Sequence, residues 1–295
     1  FHAEALFREK AGREGGKMLV YIRGAGDIAS GIAVRLYRAG MELVMSDLAV
    51  PTAVRRSVAF SEAIRLGSAK VEEISAKRAE SIEDVREILS ERKIAVLVDS
   101  GKESIRALRP DAVVDAILAK RNLGTSRTDA PIVLGIGPGF FAGIDCHAVI
   151  ETKRGHTLGR AIYRGAAIPN TGVPGNIAGV SAERVLRSPA EGIFRSLAEI
   201  GQLVAKGETV AYVDGIPLKT EIPGMLRGLL QDGIPVFKGM KCGDVDPRGE
   251  SADYQTVSDK ALAVGGGVLE ALLHFISVGE SAGEPFHTPG REHIL

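Results

Sequence analysis

The sequence predicts an α/β fold: a Rossmann-like doubly wound sheet, joined to a small β-barrel domain of the barrel-sandwich, biotinyl/lipoyl-like kind. Three observations predict it. Short apolar runs alternate with helical patterns between residues 18 and 135, as in a mainly parallel sheet with helices on its faces. The first of these units carries glycines between its strand and its helix, the arrangement of a dinucleotide-binding turn. Further along, two short glycine-punctuated β segments repeat one another, which suggests two interlocked hairpin units. The predicted organisation is a nucleotide-binding domain over 18–135, a glycine-rich central region with a candidate site over 136–190, the β domain over 191–250 and a C-terminal helix over 251–276.

The elements follow in order. Residues 18–23 (MLVYIR) form a buried strand, and Gly24, Gly26 and Ala29 then give G-x-G-x-x-A. Ile28, Ile32 and Leu36 recur at helical spacing, and Gly40 stands where a C-cap belongs. A second strand over 42–46 ends at Asp47. This is the context the dinucleotide fingerprint requires, with backbone N–H groups offered to a pyrophosphate and Asp47 to a ribose hydroxyl. Asp27 stands against a simple version, because it puts an anion where the phosphate would lie. A Rossmann-shaped scaffold without its nucleotide is the structural alternative.

Residues 51–66 read as a helix with proline in its first turn. Ser81 and Asp84 resemble a capping box ahead of the apolar face of Ile82, Val85, Ile88 and Leu89. Strands are expected over 94–98, 112–117 and 131–134, with a short helix over 102–108. Lys120, Arg121 and Asn122 follow a strand end, the place where open α/β sheets bind ligands. Residues 175–187 read as a helix stopped by Pro189, and residues 258–275 as a helix whose GGG centre needs close backbone packing to be tolerated. A disordered tail is expected over 279–295.

The chemistry-bearing residues concentrate between Gly135 and Gly175. Cys146 lies beside His147, with Glu151, Arg154, His156, Arg160, Arg164 and Asn170 nearby. A thiol, imidazoles and several cations in a glycine-rich stretch suit a reactive or ligand-binding loop. They equally suit tight turns around a buried cysteine and a structural histidine. On a strand Cys146 and His147 point to opposite faces, which leaves His156 as an alternative base. No H-x-x-x-H or C-x-x-C pair suggests a dedicated metal site.

In the β domain, residues 201–214 (GQLVAKGETVAYVD) align with residues 233–246 (GIPVFKGMKCGDVD). The segment between them, PLKTEIPGMLRG, offers only Lys219 as a carrier lysine, without the neighbours a lipoyl or biotinyl attachment site has. The expectation is therefore a domain without a prosthetic group, in which Cys242 is a core residue.

Composition excludes several classes. The formal net charge of the 295 residues is +0 and no block of like charge stands out, so nucleic acid and membrane surfaces are not expected partners. Two cysteines do not build a disulfide framework, and a reducing cytoplasm is the simpler location. The longest uncharged apolar run, 130–144, is too short and too rich in Gly and Pro to span a bilayer. Residues 1–17 carry both signs of charge without the apolar core of a signal peptide, and Met18 reads as a natural start.

Four segments carry a family resemblance: 23–40 (RGAGDIASGIAVRLYRAG), 135–163, 169–175 (PNTGVPG) and 241–249 (KCGDVDPRG). Together they resemble the selenium-dependent molybdenum hydroxylase accessory proteins of the YqeB type, and more distantly the xanthine dehydrogenase accessory proteins. The resemblance implies a maturation role in molybdenum cofactor or selenium/sulfur handling, a molybdenum hydroxylase as partner and an anionic pterin as ligand. In that setting Arg154, Arg160 and Arg164 would pair with a cofactor phosphate and Cys146 would carry the chalcogen. NAD(P) and a molybdopterin-type cofactor both remain open as ligand, as do catalysis and homo-oligomerisation. The alternatives of different class are an NAD(P)-dependent oxidoreductase and a non-catalytic adaptor.

Overall fold

A computed structural model describes residues 17–170, 172 and 178–278. Strand β1 (Leu19–Arg23) is almost wholly buried and lies at the centre of a nine-stranded sheet. Helix α1 (Asp27–Arg38) returns the chain to β2 (Glu42–Asp47), which pairs parallel with β1 from Leu19↔Glu42 to Arg23↔Ser46. A 3-10 turn (Arg56–Val58) and the short α2 (Glu62–Leu66) lead into the hairpin of β3 (Ser68–Val71) and β4 (Ile74–Ala79). Then come α3 (Ile82–Ser90), β5 (Ile94–Val98), α4 (Glu103–Leu108), β6 (Ala112–Asp115) and β7 (Ile132–Ile136). The small pair β8 (Phe141–Ala142) and β11 (Gly165–Ala166) brackets β9 (Ala148–Ile150) and β10 (Ala161–Ile162). The capping box ahead of α3 is formed, with the Ser81 hydroxyl accepting from Asp84 N–H and the Asp84 carboxylate accepting from Ser81 N–H.

The sheet corrects the Rossmann-like doubly wound expectation. Its order is β10-β9-β7-β6-β1-β2-β5-β4-β3 and it is mixed: β10 and β3 close the ends antiparallel, around seven strands that run parallel. The hairpin at one end was hidden in the sequence because its turn, Glu72-Glu73, lacks glycine, asparagine and proline. Glu72 takes a positive φ of 53° there, and Arg38 hydrogen-bonds both carboxylates.

The helix expected over 51–66 is an extended strap followed by two short turns. The strap's backbone is engaged elsewhere: Leu229 N–H donates to Val54 O at 2.8 Å, and Gln231 donates to Pro51 O at 3.2 Å. A carbonyl bonded across the molecule in this way is not available for a helical ladder. The boundary expected at 135/136 falls inside the sheet, since β7 pairs with β9. Of the helix expected over 175–187, residues 175–177 lie outside the described residues, and 178–187 hold a turn and the strand β12 (Val185–Arg187). The expected tail, 279–295, also lies outside them.

The second half comprises β12, β13 (Gly192–Ser196), β14 (Leu203–Val204), β15 (Thr209–Val213), β16 (Ile216–Lys219), β17 (Gly224–Leu229), β18 (Pro235–Val236) and β19 (Lys241–Asp246). They form two antiparallel four-stranded sheets, β12-β19-β17-β14 and β16-β15-β13-β18, around a core that includes Leu186, Phe194, Val210, Leu226, Cys242 and Val245. The first repeat supplies β14 and β15, the second β18 and β19, so each copy gives one strand to each sheet. This is not the expected biotinyl/lipoyl-like barrel sandwich. One sheet is completed by β12 from the central region, the strap at 51–57 is hydrogen-bonded to β17, and Lys219 ends a strand in register with Thr209 rather than projecting from a turn.

The chain ends on α5 (Asp259–Val278), which packs along α1. Asp259–Ser277 is long and apolar enough to cross a membrane by length and composition alone. Here Ala261, Val264, Val268, Ala271 and Leu272 are buried in the core shared with α1 and the sheet. The GGG centre explains how closely it sits: a Cβ on Gly267 would lie 1.8 Å from the Gly159 carbonyl oxygen.

Candidate functional site

The C-terminal ends of β1, β6 and β7 open into a cleft of about 860 Å³, closed on its other side by β12, β17 and β19. Asp27 and Ile28 enter it from the start of α1, Lys120 from the loop after β6, and Lys153 and Arg154 from the loop after β9. Lys260 comes from the first turn of α5, and Arg184, Arg187, Arg227, Lys241 and Asp244 from the second half. With Arg55 of the strap, nine basic side chains face two acidic ones, Asp27 and Asp244. The chain as a whole is neutral, so the folded molecule has collected positive charge here. A second hollow of about 650 Å³ beside the β3–β4 hairpin is lined by Arg56, Lys70, Lys77 and Lys93 against Glu62, a smaller excess of positive charge. Its Lys77 and Lys93 are paired with Glu91, and its Arg56 with Glu62.

The acidic groups of the cleft hold its arginines in place. Asp27 pairs with Arg55 at 3.3 Å, and the other end of Arg55 donates to Thr256 O at 3.2 Å. The Arg55 Nε is buried without a hydrogen-bond partner among the described residues. Arg154 donates two bonds to Asp259, at 2.7 and 2.9 Å, and these hold the Asp259 carboxyl down to about 2. In the second half, Asp244 accepts from both Arg184 and Arg227, and Asp246 accepts from Arg227 at 3.1 Å and from Arg248 at 2.7 and 2.9 Å. Both carboxylates and both inner arginines are buried, so this is an internal Arg–Asp chain forming one wall of the cleft.

Four lysines remain. Lys120, Lys153, Lys241 and Lys260 form no ion pair with another described residue. Lys241 is open to water inside the cleft but surrounded by protein. That enclosure pushes its amine below the ordinary lysine range, with Arg184 and Arg227 acting the same way against Asp244 and Asp27. Lys260 is lowered likewise, first by burial and then by Arg154 and Lys120, while Asp27 and Glu151 pull back. Perturbed amines in a concave, like-charged site make it a candidate functional site.

The residues singled out from sequence fall into three groups. Arg154 lines the cleft. Gly24, Gly26, Ala29 and Asp47 sit at the turn behind it. Gly24 (φ +99°) is required by packing, since a Cβ would meet Ala116 O at 2.8 Å. Ala29 is buried, and the Asp47 carboxylate accepts from Ala25 N–H at 2.9 Å and Leu48 N–H at 2.8 Å, with burial raising its pKa. A pyrophosphate at this turn would meet the Asp27 carboxylate.

The third group is corrected by the structure. Cys146 is fully buried among Tyr21, Val44, Phe140 and Val149. Burial pushes its thiol up to about 12, with Asp145 and Asp115 adding to this against the Gly135 backbone hydrogen bond and Arg127. His147 is buried on the other face: its Nδ1 accepts from Val133 N–H at 2.9 Å and its ring meets Phe275 edge-on. His156 and Arg160 are exposed and do not line the cleft. The cysteine, the imidazoles and the arginines therefore do not converge. Native Cys146 and Cys242, the latter raised to about 11 by burial, should resist alkylation near pH 8 and label only after denaturation; rapid native labelling of Cys146 would contradict its placement.

Sequence reasoning flagged Lys120 but missed Lys241, Lys260, Arg184 and Arg227. A signal existed: Asp244 and Asp246 alternate with Gly243 and Val245 in the strand KCGDVD, and buried carboxylates require partners. Among the described residues no group of three His, Cys, Asp or Glu is placed to hold a metal ion.

No protein-family model matches the chain. Three of the solved structures it resembles are an aspartoacylase family protein from Mesorhizobium loti, the ectoine utilization protein EutE (DoeB) from Ruegeria pomeroyi, and a succinylglutamate desuccinylase/aspartoacylase from Rhodobacter sphaeroides. Their sequence identities are 10%, 12% and 16%, and their TM-scores 0.26, 0.25 and 0.24. Each match covers 78% of this chain, and 84%, 85% and 85% of the respective structures. Likeness at this level carries neither fold nor activity across. The mixed sheet is not a Rossmann fold. The expected maturation role is corrected by the site itself: it called for a reactive Cys146 among arginines, and that thiol is buried in a core away from the cleft, while no feature of the described residues favours the oxidoreductase or adaptor alternative. In sequence, the chain is 50% identical over 273 residues, 92% of its length, to "Uncharacterized protein YqeB" of Escherichia coli (strain K12), and spans about half of that protein, 50% of it. The chain is a homologue of YqeB over nearly all of its own length.

Proposed function

We propose that the cleft binds a phosphate-bearing small molecule. The observation that carries this is the excess of nine basic side chains over two acidic ones in one concave site, four of them lysines without an ion-pair partner among the described residues. Buried arginines fixed by Asp27, Asp244 and Asp246 give the site a rigid positive frame at little further ordering cost. The lysines supply mobile donors that a phosphate can gather.

Titration calorimetry with pyrophosphate, before and after the double change Lys241→Ala and Lys260→Ala, tests this. Each lysine lost should weaken binding about tenfold, roughly 1.4 kcal/mol. Unchanged affinity would remove the site from this cleft. The pH dependence has a definite sign. Both amines sit below the ordinary range when the cleft is empty, and a bound anion raises them again. Binding should therefore take up protons, and affinity should fall as pH rises through the lowered values, before an ordinary lysine of about 10.4 would titrate.

A further inference from the structure

We infer that the ligand carries two phosphate-type groups, one held by each wall, so that a diphosphate or bisphosphate bridges the nine-stranded sheet and the second half of the chain. This rests on the reading of the cleft as an anion site and adds the number and placement of the anions.

The cations of the cleft originate from two walls. On the sheet side, Arg55, Lys120, Lys153, Arg154 and Lys260 face one carboxylate, Asp27. On the opposite side, Arg184, Arg187, Arg227 and Lys241 face Asp244. The lining alone gives an excess of four charges on one wall (five less one) and three on the other (four less one), and Asp259 beside Arg154 and Asp246 beside Arg227 reduce these to three and two. A phosphate monoester carries roughly −1.5 to −2 at neutral pH, so one such group would leave most of this excess uncompensated.

The walls also face each other. Asp27 acts electrostatically on Lys241 of the second half and on Lys260 and Arg154 of the sheet side. Its carboxylate thus lies between two sets of cations, each with a lysine whose charge the other cations disfavour. Two anions joined by a short spacer would relieve both sets at once. The cleft volume, about 860 Å³, lies in the range of sites for whole small molecules rather than for a lone ion.

The test compares inorganic phosphate, pyrophosphate and a hexose 1,6-bisphosphate by calorimetry on the whole chain. Each is measured with the unaltered protein, with Lys241→Ala and with Lys260→Ala; the Gln variants replace any Ala variant that fails to show a cooperative unfolding transition. At least one two-phosphate compound should bind a hundredfold or more tighter than inorganic phosphate, about 2.7 kcal/mol. Both single variants should weaken it about tenfold, whereas inorganic phosphate should respond to one variant only. If all three compounds bind within about threefold of each other, the bridging inference is overturned and the anion site stands. Equal sensitivity of inorganic phosphate to both variants would likewise show a single pole. If none binds, the anion site falls and the bridging inference with it.

Discussion

Gly267→Val should destabilise the fold by about 3 kcal/mol or more, at the upper end of what overpacking costs. Gly267 lies in the middle of α5, where a Cβ would be 1.8 Å from the Gly159 carbonyl oxygen and 3.0 Å from Ile150. Gly159 in turn has a φ of +78°, and a Cβ on it would lie 2.4 Å from Ala263 O. Loop and helix therefore approach backbone to backbone, and neither can yield as a flexible side chain would. The neighbouring glycine is the control. A Cβ on Gly266 meets nothing within 4 Å, so Gly266→Ala should stabilise by up to about 1 kcal/mol through helix propensity alone. Urea unfolding of the two variants checks both signs. A mild effect of Gly267→Val would mean that α5 does not pack as described.

Asp244→Ala should cost about 3–5 kcal/mol, the range for removing one partner of a buried ion pair. Asp244 is 1% exposed and accepts from both Arg184 and Arg227. Its loss leaves Arg227 with Asp246 as its remaining carboxylate partner among the described residues and adds uncompensated guanidinium charge to the cleft wall. The exposed pair Arg154–Asp259 is the contrast, because Asp259 is 73% exposed. Asp259→Asn should cost less than about 1 kcal/mol. The Asp259 carboxyl is depressed to about 2, so whatever it contributes is present above the ordinary carboxyl range and lost as pH falls towards that value. Denaturant midpoints for the two variants, measured side by side, decide whether burial sets the difference.

What the sequence made legible was local. The strand, glycine turn, helix and strand over 19–47 are where the pattern put them, and so are the box at Ser81 and Asp84 and the glycine-rich helix. These signals depend on neighbours a few residues apart. The strap over 51–57 was not legible because its partners, Leu229 and Gln231, are far away in sequence. The β3–β4 hairpin was missed because Arg38 supports a turn made of two glutamates.

The site failed for the same reason on a larger scale. Proximity in sequence suggested that Cys146, His147 and the following arginines act together. The chain leading into β9 instead sends Cys146 and His147 to opposite sides of the sheet, each into a packed core. The cations that do converge, Lys120, Arg154, Arg227, Lys241 and Lys260, are spread over 140 positions, from 120 to 260, and meet only through the folding of both halves. The short segment KCGDVDPRG holds one lysine and both carboxylates of that wall, yet its charges gain meaning only once Arg184 and Arg227 stand opposite.

A crystal structure of the chain with pyrophosphate shows whether an anion occupies the cleft between the two halves. Phosphate density is expected within hydrogen-bonding distance of the Lys241 and Lys260 amines. Well-occupied density elsewhere on the surface, or an empty cleft at saturating pyrophosphate, would contradict it.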